Sequence, residues 1–124
     1  MPSVIIRSGK QEGMYLPLGK RASVIGRHEA ANMQLDDDGV SRKHVQIRFD
    51  LKTNQFFATD MRSRNGTFVR GRRIEEEVVL RDGDEIVVGT TSLIFTEETP
   101  QDMANALEVL KRVGERSRGT LDMR

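Results

Sequence analysis

The fold of this chain is decided by residues 44–59, which read His44-Val45-Gln46-Ile47-Arg48-Phe49, a polar segment at 50–54, and Gln55-Phe56-Phe57-Ala58-Thr59. Apolar and polar residues alternate in the first run, as in a β-strand that buries one face. The polar segment is turn-forming, and the second run returns as the partner strand. These residues therefore predict an antiparallel hairpin with one buried face.

Similar signals continue on both sides of this hairpin. Short apolar or alternating runs, separated by turn residues, lie at 4–6, 14–18, 22–25, 67–69, 73–74, 85–88 and 92–96. Arg70-Gly71-Arg72 is predicted to be a hairpin turn in which Gly71 supplies the positive φ angle. Many short strands without an internal repeat are typical of an all-β sandwich or barrel.

Composition limits the possible functions. The 124 residues suit one domain, and 36% hydrophobic residues with only 5% aromatics predict an aliphatic core. A formal net charge of +1 argues against sequence-independent nucleic-acid binding, which needs a basic excess. The absence of Cys excludes disulfides and thiolate metal sites. With no secretory leader pattern and no membrane-length apolar run, the sequence predicts a soluble, cytoplasmic domain.

The composition changes after residue 98, where a helix is predicted. Thr99 can cap it, Pro100 suits its first position, and Asp102 lies favourably near its positive end. Apolar residues then follow at helical spacing, namely Met103, Ala106, Leu107, Leu110 and Val113. We expect a domain at 1–98, an amphipathic helix at 99–117 and a flexible tail at 118–124. The apolar stripe either docks on the sandwich or forms a linker or dimer contact.

Three short segments at predicted strand ends carry residues suited to binding an anion. They are Gly26-Arg27, Val40-Ser41-Arg42-Lys43-His44 and Asp60-Met61-Arg62-Ser63-Arg64-Asn65-Gly66-Thr67. Guanidinium groups offer a planar fork of donors to phosphate oxygens, and a serine hydroxyl adds a short donor. An Asn-Gly turn exposes backbone N–H groups and a side-chain amide. Because loops of a sandwich cluster at its ends, these segments predict one site.

These segments, followed by Leu80-x-x-Gly83-Asp84-x-Ile86-x-x-Gly89, resemble the signature of the forkhead-associated (FHA) domain family. The resemblance spans about Val4 to Thr96. It implies an eleven-stranded, two-sheet β-sandwich of the FHA/SMAD-like type, here with a C-terminal helix. It also implies that loops at one end bind phosphothreonine peptides in extended form.

The same resemblance implies a role for individual residues. Arg27 and Ser41 would contact the phosphate, and Arg42 would serve the phosphate or a neighbouring peptide position. Arg64 occupies a position where the family often places another phosphate contact. Asn65 would bond the peptide backbone beside the phosphothreonine.

Three further residues, Gly26, His44 and Gly66, match family positions that support the loops. The family often has Asn before its second Gly, whereas Arg70 stands there in this chain, which predicts altered loop support. The acidic run Asp36-Asp37-Asp38 lacks the alternating spacing and distal Glu of a calcium loop, so no metal site is predicted.

The sequence predicts phosphothreonine-dependent recognition of a protein partner in a Ser/Thr kinase pathway. One alternative is a phospho-independent scaffold that self-associates through its sheet edge or terminal helix. Another is capture of a phosphorylated Thr120 in the basic tail, by the same molecule or by a neighbour. With two histidines, no Cys and no nucleophile or Gly-Lys phosphate motif, no enzyme and no cofactor is predicted.

Overall fold

The computed structural model describes residues 1–122, with side chains described as far as Gly114. Within these residues the chain forms eleven β-strands in two sheets and one C-terminal α-helix. This architecture confirms the predicted all-β sandwich. Among the same residues, no helix is both long and apolar enough to cross a lipid bilayer.

One sheet has six strands. In spatial order they are β2 (Tyr15–Pro17), β1 (Ser3–Ile6), β11 (Thr91–Thr96), β10 (Glu85–Val88), β7 (Thr67–Val69) and β8 (Arg72–Arg73). The other sheet has five strands, in the order β4 (Met33–Gln34), β3 (Ser23–Gly26), β5 (Val45–Asp50), β6 (Gln55–Asp60) and β9 (Val78–Leu80). All neighbouring strands whose register is given are antiparallel except β3 and β4, which run parallel.

The predicted hairpin is confirmed as β5 and β6, which pair from Val45 opposite Asp60 to Asp50 opposite Gln55. Val45, Ile47 and Ala58 are buried on the face that meets the other sheet. The alternation read from the sequence therefore corresponds to one core-facing and one outward-facing row of side chains.

The core between the sheets is mainly aliphatic, as the composition predicts. Its fully buried members come from both sheets and include Ile6, Ile25, Ile47, Ile86 and Leu93. Aromatic rings lie to one side, where the Phe56 ring centroid is 5.0 Å from that of Phe49 and 5.8 Å from that of Phe95. Burial of this branched aliphatic surface is the main driving force for the sandwich.

The turn between β7 and β8 is tighter than predicted. Val69 pairs with Arg72, so only Arg70 and Gly71 form the loop. Both have positive φ angles, 53° and 80°, as a two-residue hairpin loop of this kind requires. The prediction that Arg72 belongs to the turn is therefore wrong.

The helix α1 spans Met103–Asp122. Its cap is Asp102, because the backbone N–H of Asn105 donates to Asp102 Oδ1 at 2.8 Å. The predicted cap Thr99 instead donates its hydroxyl to the carbonyl of Met1. The helix also continues past the predicted boundary at residue 117, while residues 123–124 of the predicted tail and the side chain of Thr120 lie outside the described residues.

The helix docks on the outer face of the six-stranded sheet. Ala106, Val109 and Val113 are at most 3% exposed and form a second apolar cluster with Ile5 and Ile94. Two members of the predicted stripe are not part of this face, since Met103 is 50% and Leu107 is 41% exposed. Val109, which the sequence analysis left out, lies at the centre of the contact.

Replacing Val109 by Ala should lower the free energy of unfolding by about 1–2 kcal/mol, because two buried methyl groups are removed and a small cavity remains. The matched variant Leu107→Ala should lose less than about 1 kcal/mol, because that side chain is already half exposed. Urea unfolding of both variants measures the difference. Equal losses at the two positions would contradict the docking.

Candidate functional site

The three segments singled out in the sequence meet at one end of the sandwich because the strand register brings them there. Ile25 of β3 pairs with Val45 of β5, and Val45 also pairs with Asp60 of β6. The end of β3, the start of β5 and the end of β6 therefore lie side by side. Since Thr67, at the start of β7, pairs with Val88 at the end of β10, the β10–β11 turn joins the same end.

Arg27 is the first residue after β3, and two hydrogen bonds hold it against the β4–β5 loop. Its backbone N–H donates to the carbonyl of Ser41 at 3.0 Å, and its side-chain Nε donates to the carbonyl of Val40 at 3.0 Å. The guanidinium is thus fixed beside Ser41 while the residue stays exposed. Its two Nη groups make no hydrogen bond or ion pair within the described part of the chain.

Ser41 connects this loop to the β6–β7 loop. Its Oγ accepts a hydrogen bond from the backbone N–H of Arg64 at 2.9 Å. A hydroxyl that accepts one bond still has a proton to donate. Arg27 and Ser41 therefore present a charged donor group and a neutral hydroxyl on the same stretch of loop.

His44 is fully buried and supports both loops. Its Nδ1 accepts the backbone N–H of Ser41 at 3.0 Å, and its Nε2 lies 2.8 Å from the carbonyl oxygen of Gly66. The two contacts together require the tautomer that carries its proton on Nε2. One imidazole thus fixes the distance between the segment of Ser41 and that of Gly66.

Arg64 and Asn65 are tied back onto the β4–β5 loop. Asn65 Nδ2 donates to the carbonyl of Gly39 at 2.9 Å, and Arg64 Nη2 donates to that of Asp38 at 3.2 Å. The Asn65 bond consumes one amide donor and leaves its Oδ1 as an acceptor. These bonds orient both side chains without neutralising the arginine.

Asp60 organises the turn that carries these two residues, a role that the sequence analysis missed. It accepts bonds from the backbone and hydroxyl of Ser63 and from the hydroxyl of Thr67 at 2.7 Å. Burial raises the pKa of Asp60, but the bonds from Ser63 and Thr67 outweigh it and hold the pKa below its ordinary value. An Asp that ends a strand with Ser three residues later is the signal that indicates such a turn.

Asp37 has the same role in the neighbouring loop, and it too was missed. Its carboxylate accepts the backbone N–H of Gly39 and bonds from Thr90 of the β10–β11 turn and Thr91 at the start of β11. Burial raises the pKa of Asp37, yet these bonds lower it below the ordinary value. The acidic run is therefore partly structural, and no group that could hold a metal is found among the described residues.

Two glycines of the site are required by close approach or by backbone conformation. A β-carbon on Gly26 would lie 2.0 Å from the carbonyl oxygen of Arg42. Gly66 has a φ of +84°, and a β-carbon there would lie 2.7 Å from Arg73 Nε. At Gly26 a larger residue would displace the loops, whereas at Gly66 it would be strained by the positive φ and would push the Arg73 side chain aside.

Arg70 stands where the FHA pattern often has Asn, and its side chain contacts residues outside the β7–β8 hairpin. It adopts a positive φ, forms an ion pair with the carboxylate of Asp84, and donates to the carbonyl of Val79 at 3.2 Å. The β7–β8 hairpin is thereby fastened to both sheets. These contacts show how Arg70 holds the hairpin in this chain.

Arg42 lies at the margin of the arrangement. Its carbonyl accepts the N–H of His28 at 3.2 Å, and its side chain is exposed. With Arg27 it lines a shallow cleft of about 370 Å³, whose other walls are His28, Glu29 and Gln34. The structure thus brings Arg27, Ser41, Arg64 and Asn65 into one hydrogen-bonded group, with Arg42 beside it.

Comparisons with known proteins agree with this geometry. A family model described as FHA domain matches residues 23–89. The glycogen accumulation regulator GarA of Mycobacterium tuberculosis is 35% identical over 92 residues, which cover 74% of this chain and 55% of that protein. An oxoglutarate dehydrogenase inhibitor of Corynebacterium efficiens is 34% identical over 92 residues, covering 74% and 63%.

Among solved structures, an FHA domain studied for phosphothreonine-dependent interactions is 31% identical with a TM-score of 0.70. That match covers 79% of this chain and 97% of the other. By contrast, the chain spans only between about half and two thirds of the length of the two curated relatives named above.

Replacing Gly26 by Ala should lower the free energy of unfolding by about 1–3 kcal/mol, because the new methyl group meets a backbone carbonyl that cannot rotate away. Gly19→Ala is the matched control: its β-carbon would meet only the end of the Met1 side chain at 3.6 Å. The control should change the unfolding energy by less than about 0.5 kcal/mol. Urea unfolding of both variants decides it, and a Gly26→Ala protein as stable as the control would contradict the close approach.

Asp60→Asn should make the protein less stable at neutral pH and less sensitive to acid. Because the pKa of Asp60 is lowered by folding, its contribution is complete above the ordinary value of 3.8 and is lost as the pH falls through the folded value. The stability difference between wild type and variant should therefore narrow below pH 3.8. Unfolding titrations between neutral and strongly acidic pH measure it, and a difference that stays constant would refute the prediction.

Proposed function

This chain belongs to the FHA domain family, and we propose that it is a phosphothreonine-dependent protein-recognition module without catalytic activity. The observation that carries the proposal is the pairing of Arg27 with Ser41 on loops already joined to each other by hydrogen bonds. The free Nη groups of Arg27 and the hydroxyl proton of Ser41 supply donors for a phosphate on an extended peptide. Arg64 adds a second positive charge, and Arg42 serves the phosphate or the next peptide residue.

The charges around the site support an anionic ligand. A phosphothreonine carries a charge of about −1.5 to −2 and three strong acceptor oxygens. Arg27, Arg42 and Arg64 have no carboxylate partner within the described residues, so no internal ion pair competes with a ligand. Hydrogen bonds to such a charge contribute about 1.5–3 kcal/mol each.

Asn65 supports recognition of a peptide in addition to its phosphate. Its amide N–H₂ is held by Gly39, so its Oδ1 is oriented and available to accept a backbone N–H of the ligand. A phosphate site alone would bind any phosphate. An oriented side-chain oxygen that accepts a backbone N–H of the ligand favours an extended peptide. Gly26, His44 and Gly66 act indirectly in this proposal, by holding the loops at their separation.

The partner is, in this proposal, a protein phosphorylated on threonine by a Ser/Thr kinase, and neither nucleic acid nor membrane takes part. The relatives named as a glycogen accumulation regulator and an oxoglutarate dehydrogenase inhibitor carry regulatory names, which supports a binding role. A cytoplasmic location stays a prediction of the sequence.

The alternative of a phospho-independent scaffold loses its main motivation. It rested on an apolar helix stripe in need of a partner, and the buried face of α1 is covered by Ile5 and Ile94. We therefore retain recognition of phosphothreonine as the function that the geometry favours.

Arg27→Ala should weaken binding of phosphothreonine peptides by roughly thirtyfold or more, because it removes charge-assisted bonds worth about 2–4 kcal/mol. Ser41→Ala should weaken binding less, by about tenfold, since it removes one bond to the phosphate and the bond that Oγ accepts from Arg64 but no positive charge. Calorimetric titration with a phosphothreonine peptide library and its unphosphorylated counterpart measures both.

Lys43→Ala is the matched control, because Lys43 is also an exposed cation of the β4–β5 loop but forms no hydrogen bond within the described residues. It should change affinity by less than about twofold. Equal binding of phosphorylated and unphosphorylated peptides, or full binding by Arg27→Ala, would sink the proposal.

A further inference from the structure

A groove lies beside the edge strands β8 and β9 and is lined by the β7–β8 hairpin, by the segment 74–76 that connects these strands and by the start of β9. These strands are the last members of the two sheets, so the layers are not joined there by strand pairing. The groove has a volume of about 640 Å³, and its floor includes Val69, Ile74 and Val78. This volume is in the range of clefts that take several side chains.

The groove adjoins the phosphate loops through Arg73. This residue also lines the groove, and its Nε and Cζ would lie 2.7 and 3.0 Å from a β-carbon on Gly66. Gly66 in turn follows Asn65, the proposed contact for the peptide backbone. A bound chain that continues past Gly66 on this side of the domain meets Arg73, and then the groove.

Only some of the charged side chains that line the groove have a partner of opposite charge. Arg70 is engaged by Asp84, whereas Arg72 and Arg73 have no ion pair or side-chain hydrogen bond within the described residues. Of these two, Arg73 is the one that lies beside Gly66. Glu75 and Glu76 also line the groove and would repel an acidic segment placed along its whole length. The complementary ligand is thus acidic next to Arg73 and apolar over Ile74.

We propose that this groove is an accessory subsite for the phosphorylated partner itself, where Arg73 takes an acidic side chain and the floor takes the adjoining apolar residue. The inference rests on the proposed function, because the phosphate site supplies the anchor from which the segment extends. Each edge strand also leaves backbone groups unpaired on its outer side, which an extended segment can use. The subsite selects among phosphothreonine sequences that the phosphate loops alone would treat alike.

The test uses alanine-serine peptides of about fifteen residues with a central phosphothreonine, which reach roughly 20 Å to either side of it. A Glu-Leu pair is placed in turn at each position on both sides, and affinities are measured by calorimetry with the whole chain. One window of positions should bind about threefold to tenfold tighter than the parent peptide, from one partly exposed charge pair and one apolar contact.

Arg73→Gln should abolish that gain while leaving the affinity of the parent peptide within about twofold, which also shows that the variant is folded. Arg21→Gln, the same change at an exposed arginine of the β2–β3 turn, should retain the gain. Unphosphorylated Glu-Leu peptides should bind at least about tenfold more weakly than phosphorylated ones.

The accessory subsite is overturned if no position of the Glu-Leu pair raises the affinity of the phosphopeptide, or if Arg73→Gln keeps the gain. Failure of the proposed function gives a different result, since Arg27→Ala would then leave the affinity of the parent phosphopeptide unchanged. The two hypotheses are therefore separated by two variants titrated with the same peptides.

Discussion

The rest of the site depends on the two hydrogen bonds of the His44 imidazole. The ring is buried at the end of the β5–β6 hairpin and joins the backbone of Ser41 to that of Gly66. A side chain that lost either bond would leave a buried polar group unsatisfied, at a cost of about 1–3 kcal/mol. The free-energy cost of breaking either His44 hydrogen bond therefore keeps the two loops at a fixed separation. That separation determines where Ser41 and Asn65 lie relative to each other.

The large elements of the fold follow from patterns that short stretches of sequence display. The alternation in residues 44–49 is explained by a single buried face, so it predicts a strand without any knowledge of distant contacts. This strand, β5, pairs with β6 along its whole length. The two-residue strand β4 and the edge strand β9 were not singled out, because too few residues repeat for a period to emerge. The helix was found, but its buried face was misassigned at Leu107 and Val109, since several apolar positions compete and the sheet decides among them.

The sequence predicted the residue types of the candidate site but not the hydrogen bonds that connect them. Arg27 and Ser41 stand at strand ends with donor groups, which the sequence alone reveals. The contributions of Asp37 and Asp60 depend on carboxylates that receive several donors each, from residues up to 54 positions away for Asp37. Such contacts exist only after the strands have paired, so no local pattern specifies them. Arg70 departs from the family pattern, and its contacts with Asp84 and Val79 likewise join residues that are distant in sequence.

A nearly neutral chain can still present a cationic surface, because its acids and bases are not used in the same way. Asp37 and Asp60 accept hydrogen bonds from loop backbone and hydroxyl groups, and these bonds outweigh the effect of burial and keep both carboxylates ionised and directed inward. The side chains of Arg27 and Arg64 donate hydrogen bonds only to backbone carbonyls, which orient each guanidinium without cancelling its charge. A carboxylate in either place would have to be displaced before an anion could bind, and its attraction would be subtracted from the affinity. Carbonyl anchoring avoids that loss: the loops are ordered before the ligand arrives, and the full positive charge remains for it.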